Sequence, residues 1–89
     1  MVAEMIQNGA KVFDVRSPGE FSGQHYEGAI NIPVDEVAQR LSEFGDDKST
    51  AIIVYCGSGM RSGKAKQVLE NSGFSNVVNG GGISDMLRL

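Results

Sequence analysis

Cysteine, histidine, proline and tryptophan are scarce in this sequence. Its 89 residues include one Cys, one His, two Pro and no Trp. A single cysteine cannot form an internal disulfide, which favours the cytoplasm, although a periplasmic chain without its leader peptide would show the same pattern. One cysteine and one histidine are also too few soft ligands for a structural zinc site. The sequence therefore predicts no metal and no cofactor.

Positive charge and long apolar runs are scarce as well. Eight Lys and Arg against eleven Asp and Glu give a net charge of -3. This balance excludes nucleic acid and anionic membranes as expected partners, because both bind basic surfaces. The main apolar run, Ala51–Tyr55, is far shorter than the roughly 20 residues that cross a bilayer. The residues up to Lys11 show no secretory pattern.

The apolar patterns that are present predict one small domain over residues 1–89. Strands are predicted at Lys11–Val15, Gly28–Pro33, Ala51–Tyr55 and Val77–Val78, and helices near Val2–Ile6, from Pro18, over 34–44, from Arg61 and over Ile83–Leu87. This alternation implies an α/β fold, with a small, mainly parallel β-sheet flanked by helices on both faces. The glycines at 80–82 predict a loop after the last strand.

Two of the helix patterns are especially regular. Residues 17–20, SPGE, match a capping box with proline at the first helical position, so a short helix should begin there with Glu20 as part of its cap. Val34, Val37, Ala38, Leu41 and Phe44 repeat at helical spacing. That spacing predicts one amphipathic α-helix over 34–44.

The most informative stretch places Cys56 between the strand Ala51–Tyr55 and a helix that starts near Arg61. Unpaired N–H groups at a helix start favour an anion, and a thiolate is such an anion. The pKa of a free cysteine, about 8.5, falls in such surroundings and beside an arginine. Although an isolated cysteine is often a small core residue, the glycine turn and Arg61 favour Cys56 as a nucleophile. The same turn could hold substrate oxyanions.

The glycine-rich turn does not match the nucleotide-binding patterns. A P-loop needs glycine where Ser58 stands and Ser or Thr where Ala65 stands. The dinucleotide fingerprint needs its third glycine three residues after the second, but Gly63 lies four residues after Gly59.

Because carboxyl ends of parallel strands share one edge of a sheet, Asp14, Cys56 and the loop at 80–82 are expected at one rim.

Four segments in order carry a family resemblance. They are FDVRSPGEF at 13–21, HYEGAINIP at 25–33, VYCGSGMRSGKAKQVL at 54–69 and NGGGI at 79–83. Together they resemble the rhodanese-homology domain, in particular the small single-domain bacterial rhodaneses of the phage-shock type. The resemblance implies that Cys56 takes sulfane sulfur from thiosulfate or a related donor and holds it as a persulfide. Cyanide or a thiol would accept it, including the thiol of a thioredoxin-like or other sulfur-carrier protein.

The resemblance also implies the residues of the active-site loop, which in the family is a cysteine plus five residues. The substrate-binding residues implied here are Gly57, Ser58, Gly59, Met60 and Arg61. Related cell-cycle phosphatases have a loop one residue longer, so the length favours sulfur transfer over phosphatase chemistry or arsenate reduction. Two-domain members often carry a substrate-binding arginine where this chain has Glu20, so Arg61 should supply most of the positive charge.

Four residues near the predicted site are interpreted as structural: Asp14, Arg16, Glu20 and His25. Arg16 is expected to pair with a carboxylate such as Glu20. His25 is expected to be hydrogen-bonded near the second strand.

Two other functions fit the same residues. The chain could be a carrier that receives persulfide sulfur from a partner protein and turns over free thiosulfate poorly. It could also be a redox sensor oxidised at Cys56, which would need a partner thiol because the chain has no second cysteine.

Overall fold

The fold alternates short strands and helices throughout residues 1–89, as described by a computed structural model. In chain order the elements are α1 (Val2–Gln7), β1 (Lys11–Asp14), α2 (Pro18–Gly23), β2 (Ile30–Asn31), two 3-10 helices (Val34–Gln39 and Leu41–Phe44), β3 (Ile52–Cys56), α3 (Met60–Asn71), β4 (Val77–Gly82) and α4 (Ile83–Leu87). None of the helices combines the length and the apolar character needed to span a membrane.

The sheet has four parallel strands in the order β2-β1-β3-β4. All five residues of β3 are buried, as expected for an inner strand of a parallel sheet, which reads as a continuous apolar run. Asp14 at the end of β1 pairs with Tyr55, and Cys56 pairs with Gly82 of β4. The predicted parallel sheet is confirmed, and its carboxyl rim brings together the strand ends expected there.

Helices cover both faces of the sheet, as predicted. On one face a cluster of twelve buried residues includes Phe13, Phe44, Leu69 and Cys56, so it joins the sheet to α3 and the 3-10 helices. On the other face Ile53, Tyr55 and Met86 form part of a smaller cluster, against which residues of α1 pack. Burial of these side chains on both faces is the main favourable contribution to folding.

Residues 34–44 do not form the single α-helix that was predicted. The chain forms two 3-10 helices separated at Arg40, whose φ of -122° is not helical. Arg40 instead forms ion pairs with Glu36 and Glu43. Val37 and Phe44 are nevertheless buried as the pattern requires. An apolar residue every three positions suits a 3-10 helix, which has three residues per turn, as well as it suits an α-helix.

The glycines at 80–82 belong to β4 and do not form the predicted loop. Val54 pairs with Asn79 whereas Tyr55 pairs with Gly81, so Gly80 is the extra residue of a β-bulge. A Cβ on Gly80 would lie 2.8 Å from the Met86 sulfur, and one on Gly82 would clash with the Gly57 carbonyl oxygen. Close packing therefore explains these glycines, and it places β4 directly against the segment that follows Cys56.

Candidate active site

Cys56 is the last residue of β3, and its side chain is buried against the start of α3. The three residues between the two elements form a tight turn in which Gly59, the N-cap of α3, has a φ of +99° that favours glycine. This turn directs the Gly59 N–H to the Cys56 Sγ at 3.0 Å. The hydroxyl of Ser62, in the first turn of α3, donates to the same sulfur at 3.4 Å.

These contacts change the acidity of the thiol. Burial raises the pKa of Cys56, but hydrogen bonds from the Ser62 hydroxyl and from the N–H groups of Ser62, Ser58 and Gly59 outweigh it and lower the pKa to about 7. The donors favour the thiolate because a sulfur anion accepts hydrogen bonds more strongly than a neutral thiol. A large share of Cys56 is therefore nucleophilic at neutral pH.

Asn79 holds this arrangement together from β4. Its Oδ1 accepts hydrogen bonds from the Ser62 hydroxyl at 2.7 Å and from the Gly81 N–H at 2.9 Å. Its Nδ2 donates to the Gly59 carbonyl oxygen at 3.0 Å. Neither Ser62 nor Asn79 was predicted as a site residue. The only signal for Asn79 is a polar residue between an apolar strand and a glycine run.

Arg61 lies over the turn, and its guanidinium is already paired with a carboxylate. Its guanidinium donates to the two carboxylate oxygens of Glu20 at 2.7 and 3.1 Å. A Cβ on Gly57 would lie 3.1 Å from the same guanidinium, so the ion pair covers the turn next to Cys56. The hydrogen bond from Arg61 and those from Ser17 lower the pKa of Glu20 to about 2. Glu20 also forms a capping box with Ser17, so the capping box predicted from the sequence is confirmed.

Arg16 pairs with a carboxylate, as predicted, but its partner is Asp14 and not Glu20. Its guanidinium donates to Asp14 at 2.7 Å, and both side chains are buried. Asp14 also accepts the Arg16 backbone N–H at 2.9 Å. The cause is proximity, because Asp14 lies two residues away at the end of β1 while Arg61 occupies Glu20. This ion pair holds the backbone in place at the end of β1, the strand that lies next to β3 and Cys56.

His25 lies outside the turn around Cys56. Its Nδ1 donates to the Phe21 carbonyl oxygen at 2.8 Å, and its ring stacks on the Phe21 ring with a centroid separation of 3.8 Å. His25 is therefore bonded to α2 and not to the second strand. Its contacts fit the structural interpretation.

A hollow of about 290 Å³ opens beside Arg61 at the carboxyl rim of the sheet. Its lining residues are Val15, Ser17, Pro18, Pro33, Val34, Asp35, Glu36 and Arg61. Arg61 therefore borders both the turn that follows Cys56 and the hollow. The metal-binding residue types do not gather anywhere into a group of three or more.

Comparison with known proteins decides the family. The sequence profile of the Rhodanese-like domain matches residues 1–87. The chain belongs to the rhodanese-like family. It is 42% identical to the thiosulfate sulfurtransferase PspE of Escherichia coli over 73 residues, which are 82% of this chain and 70% of PspE. A solved structure described as a rhodanese with anions from E. coli superposes with a TM-score of 0.82 at 40% identity, covering 86% of this chain and 91% of that one.

Other proteins similar to this chain differ in their described roles and in their lengths. The putative sulfur carrier protein YrkF of Bacillus subtilis is 35% identical over 76% of this chain. This chain spans 36% of YrkF and 54% of the B. subtilis protein YqhL. The resemblance to rhodaneses inferred from the sequence is confirmed, and so is the α/β fold.

Proposed function

We propose that this chain is a sulfurtransferase that moves sulfane sulfur from thiosulfate or a related donor to cyanide or a thiol. The observation that carries the proposal is the Cys56 Sγ, which accepts hydrogen bonds from the Gly59 N–H and the Ser62 hydroxyl. Together with the backbone N–H groups of Ser58 and Ser62, these donors outweigh the effect of burial and lower the pKa of Cys56 to about 7. The similarity to PspE, a thiosulfate sulfurtransferase, supports the same chemistry.

In the first half-reaction the Cys56 thiolate attacks the outer sulfur of thiosulfate. A sulfur–sulfur bond forms to Cys56 while the bond inside thiosulfate breaks, and sulfite leaves with the electron pair. Charge balances, because a thiolate and a dianion become a persulfide anion and sulfite. The backbone N–H groups of residues 57–61 and the start of α3 stabilise the negative charge that accumulates there. Arg61 anchors the anion once it exchanges Glu20 for the substrate.

In the second half-reaction cyanide or an acceptor thiolate attacks the outer sulfur of the persulfide. The bond between the two sulfurs breaks, and Cys56 leaves as a thiolate. A leaving thiol with a low pKa leaves faster, so the hydrogen bonds that activate Cys56 also assist its release. The enzyme alternates between two covalent states, and ping-pong kinetics are expected.

Intact-mass analysis after mixing with thiosulfate tests the proposal. We expect a mass increase of one sulfur atom in the wild-type chain, its loss after addition of cyanide with formation of thiocyanate, and neither event in Cys56→Ser. Thiocyanate formation by the serine variant at the wild-type rate would refute the role of Cys56. A wild-type chain that gains no sulfur from any small donor would refute the proposed activity.

A carrier that takes sulfur from a partner protein is the second candidate. It is favoured by the similarity to the putative sulfur carrier protein YrkF and by the ion pair with Glu20, which already occupies the loop's cation. The same mass measurement separates the two functions. A sulfur adduct formed only from a persulfide-loaded protein, and not from thiosulfate, supports the carrier.

A further inference from the structure

We infer that Glu20 determines which sulfur donors the site prefers, an inference that rests on the proposed function. By holding Arg61, Glu20 disfavours doubly charged donors such as thiosulfate. The site then prefers singly charged donors whose organic group enters the hollow beside Arg61. Glu20 is not a catalytic residue in this scheme, because it acts on the donor's binding through Arg61.

The first observation is the geometry of the ion pair. Both carboxylate oxygens of Glu20 are within hydrogen-bond distance of the Arg61 guanidinium, at 2.7 and 3.1 Å. Glu20 is itself held by the Ser17 N–H at 3.1 Å and the Ser17 hydroxyl at 3.0 Å. A donor anion that reaches Arg61 must displace this preorganised carboxylate or lie beside it.

The second observation is the charge around Arg61. Asp35 and Glu36 line the hollow that Arg61 closes, and Glu36 is paired with Arg40 at 3.0 Å, whereas Asp35 forms no ion pair. With Glu20 paired to Arg61, the remaining charge at this rim is negative. Repulsion grows in proportion to the charge of the approaching anion, so a dianion is penalised about twice as much as a monoanion.

The third observation is the size and lining of the hollow beside Arg61. Thiosulfate has no organic group and leaves the hollow of about 290 Å³ unused. Val15, Pro18, Pro33 and Val34 provide an apolar wall there. A cavity of about 150 Å³ is large enough for a benzene ring. An aryl group attached to a sulfane donor at Arg61 therefore has room and an apolar surface to contact.

Thiosulfonates provide the matched donors for a test. Methanethiosulfonate and benzenethiosulfonate each carry one negative charge, and each has the same transferable outer sulfur as thiosulfate. The Cys56 thiolate attacks that sulfur, the donor's sulfur–sulfur bond breaks, and a sulfinate leaves with the electron pair. The product is again the Cys56 persulfide, and the three donors differ in charge, in organic group and in leaving group, so the effect of a substitution is compared between variants on the same donor.

Glu20→Gln is the informative variant, because glutamine at this position keeps the capping box while removing the charge. Glu70→Gln is the control for net charge. Glu70 lies in the last turn of α3, roughly 15 Å along the helix axis from the end that is next to Cys56. Far-ultraviolet circular dichroism should be unchanged in both variants.

The experiment measures kcat/KM for persulfide formation with the three donors. In Glu20→Gln we expect an increase of about threefold to tenfold for thiosulfate, about twofold to threefold for methanethiosulfonate, and no change in Glu70→Gln. In the wild type we expect benzenethiosulfonate to exceed methanethiosulfonate by about tenfold. An equal effect of Glu20→Gln on both charges, or no advantage of the aryl group, would overturn the inference. So would a full effect of Glu20→Gln in an Arg61→Ala background.

A binding measurement separates this inference from the proposed activity. Sulfate and nitrate, which carry two charges and one, should both slow the alkylation of Cys56 by neutral iodoacetamide. In Glu20→Gln the sulfate concentration for half-protection should fall about threefold to tenfold, and the nitrate concentration much less. This shift supports the role of Glu20 even if no donor yields a persulfide. Unshifted sulfate protection overturns that role even if persulfide forms.

Discussion

Replacing Ser62 with alanine tests how the site controls the acidity of Cys56. The Ser62 hydroxyl lies 3.4 Å from the Cys56 Sγ, and among the hydrogen bonds that lower the pKa of Cys56 it makes the largest contribution, opposing the larger effect of burial. A hydrogen bond to a charged group is worth about 1.5–3 kcal/mol. Since this hydroxyl is shared with Asn79 at 2.7 Å, we assign about half of that to the sulfur.

This free energy converts directly into a pKa. About 1.4 kcal/mol corresponds to one pKa unit, so the pKa of Cys56 should rise from about 7 to about 8 in Ser62→Ala. At neutral pH the thiolate fraction should then fall about fivefold. Because the thiolate is the nucleophile, reactivity falls as pH falls through the pKa and levels off above it. Ser62→Ala should therefore reach the wild-type alkylation rate only at higher pH.

The assay is the rate of alkylation by iodoacetamide as a function of pH. Ser58→Ala is the matched control, because the Ser58 hydroxyl donates to nothing at the site and the variant retains the backbone N–H that contributes to the low pKa. The Asn79 Oδ1 keeps its bond from the Gly81 N–H in Ser62→Ala, so the fold should persist. A wild-type midpoint near 8.5, or an equal midpoint in Ser62→Ala, would refute the reasoning.

Three further changes test the packing around the site, each by urea denaturation. Gly82→Ala should destabilise the fold by about 2 kcal/mol or more, because the new Cβ would clash with the Gly57 carbonyl. Gly19→Ala is the control and should be tolerated, because Gly19 faces open space. Equal free energies of unfolding for the two variants would contradict the close packing of Gly82 against Gly57. Arg16→Ala should cost about 3 kcal/mol, because it leaves Asp14 buried without its partner; a loss within error would show that the pair is not structural. Asn79→Ala should cost about 1–3 kcal/mol, because the Gly59 carbonyl oxygen loses the hydrogen bond from the Asn79 side chain; an unchanged free energy of unfolding would show that this hydrogen bond does not stabilise the turn.

Local patterns predicted most elements well, and the failures share a physical cause. The spacing over 34–44 correctly indicated that Val37 and Phe44 are buried, but it could not distinguish an α-helix from two 3-10 helices. The Phe44 ring lies 4.3 Å from that of Phe13, a contact with β1 that the local spacing does not specify. The composition of residues 80–82 predicted a loop, whereas the packing of these glycines against Met86 and Gly57 makes them part of a bulged strand.

The sequence by itself determined where the sulfur sits. Strand, cysteine, glycine turn and helix are contiguous, so the direction of the backbone N–H groups around Cys56 follows from local conformation. Tertiary structure alone decided which side chains complete the site. Glu20 reaches Arg61 across 41 positions and Asn79 reaches Ser62 across 17. Such pairings depend on how strands and helices pack, because a side chain's charge and hydrogen-bonding groups do not specify a distant partner.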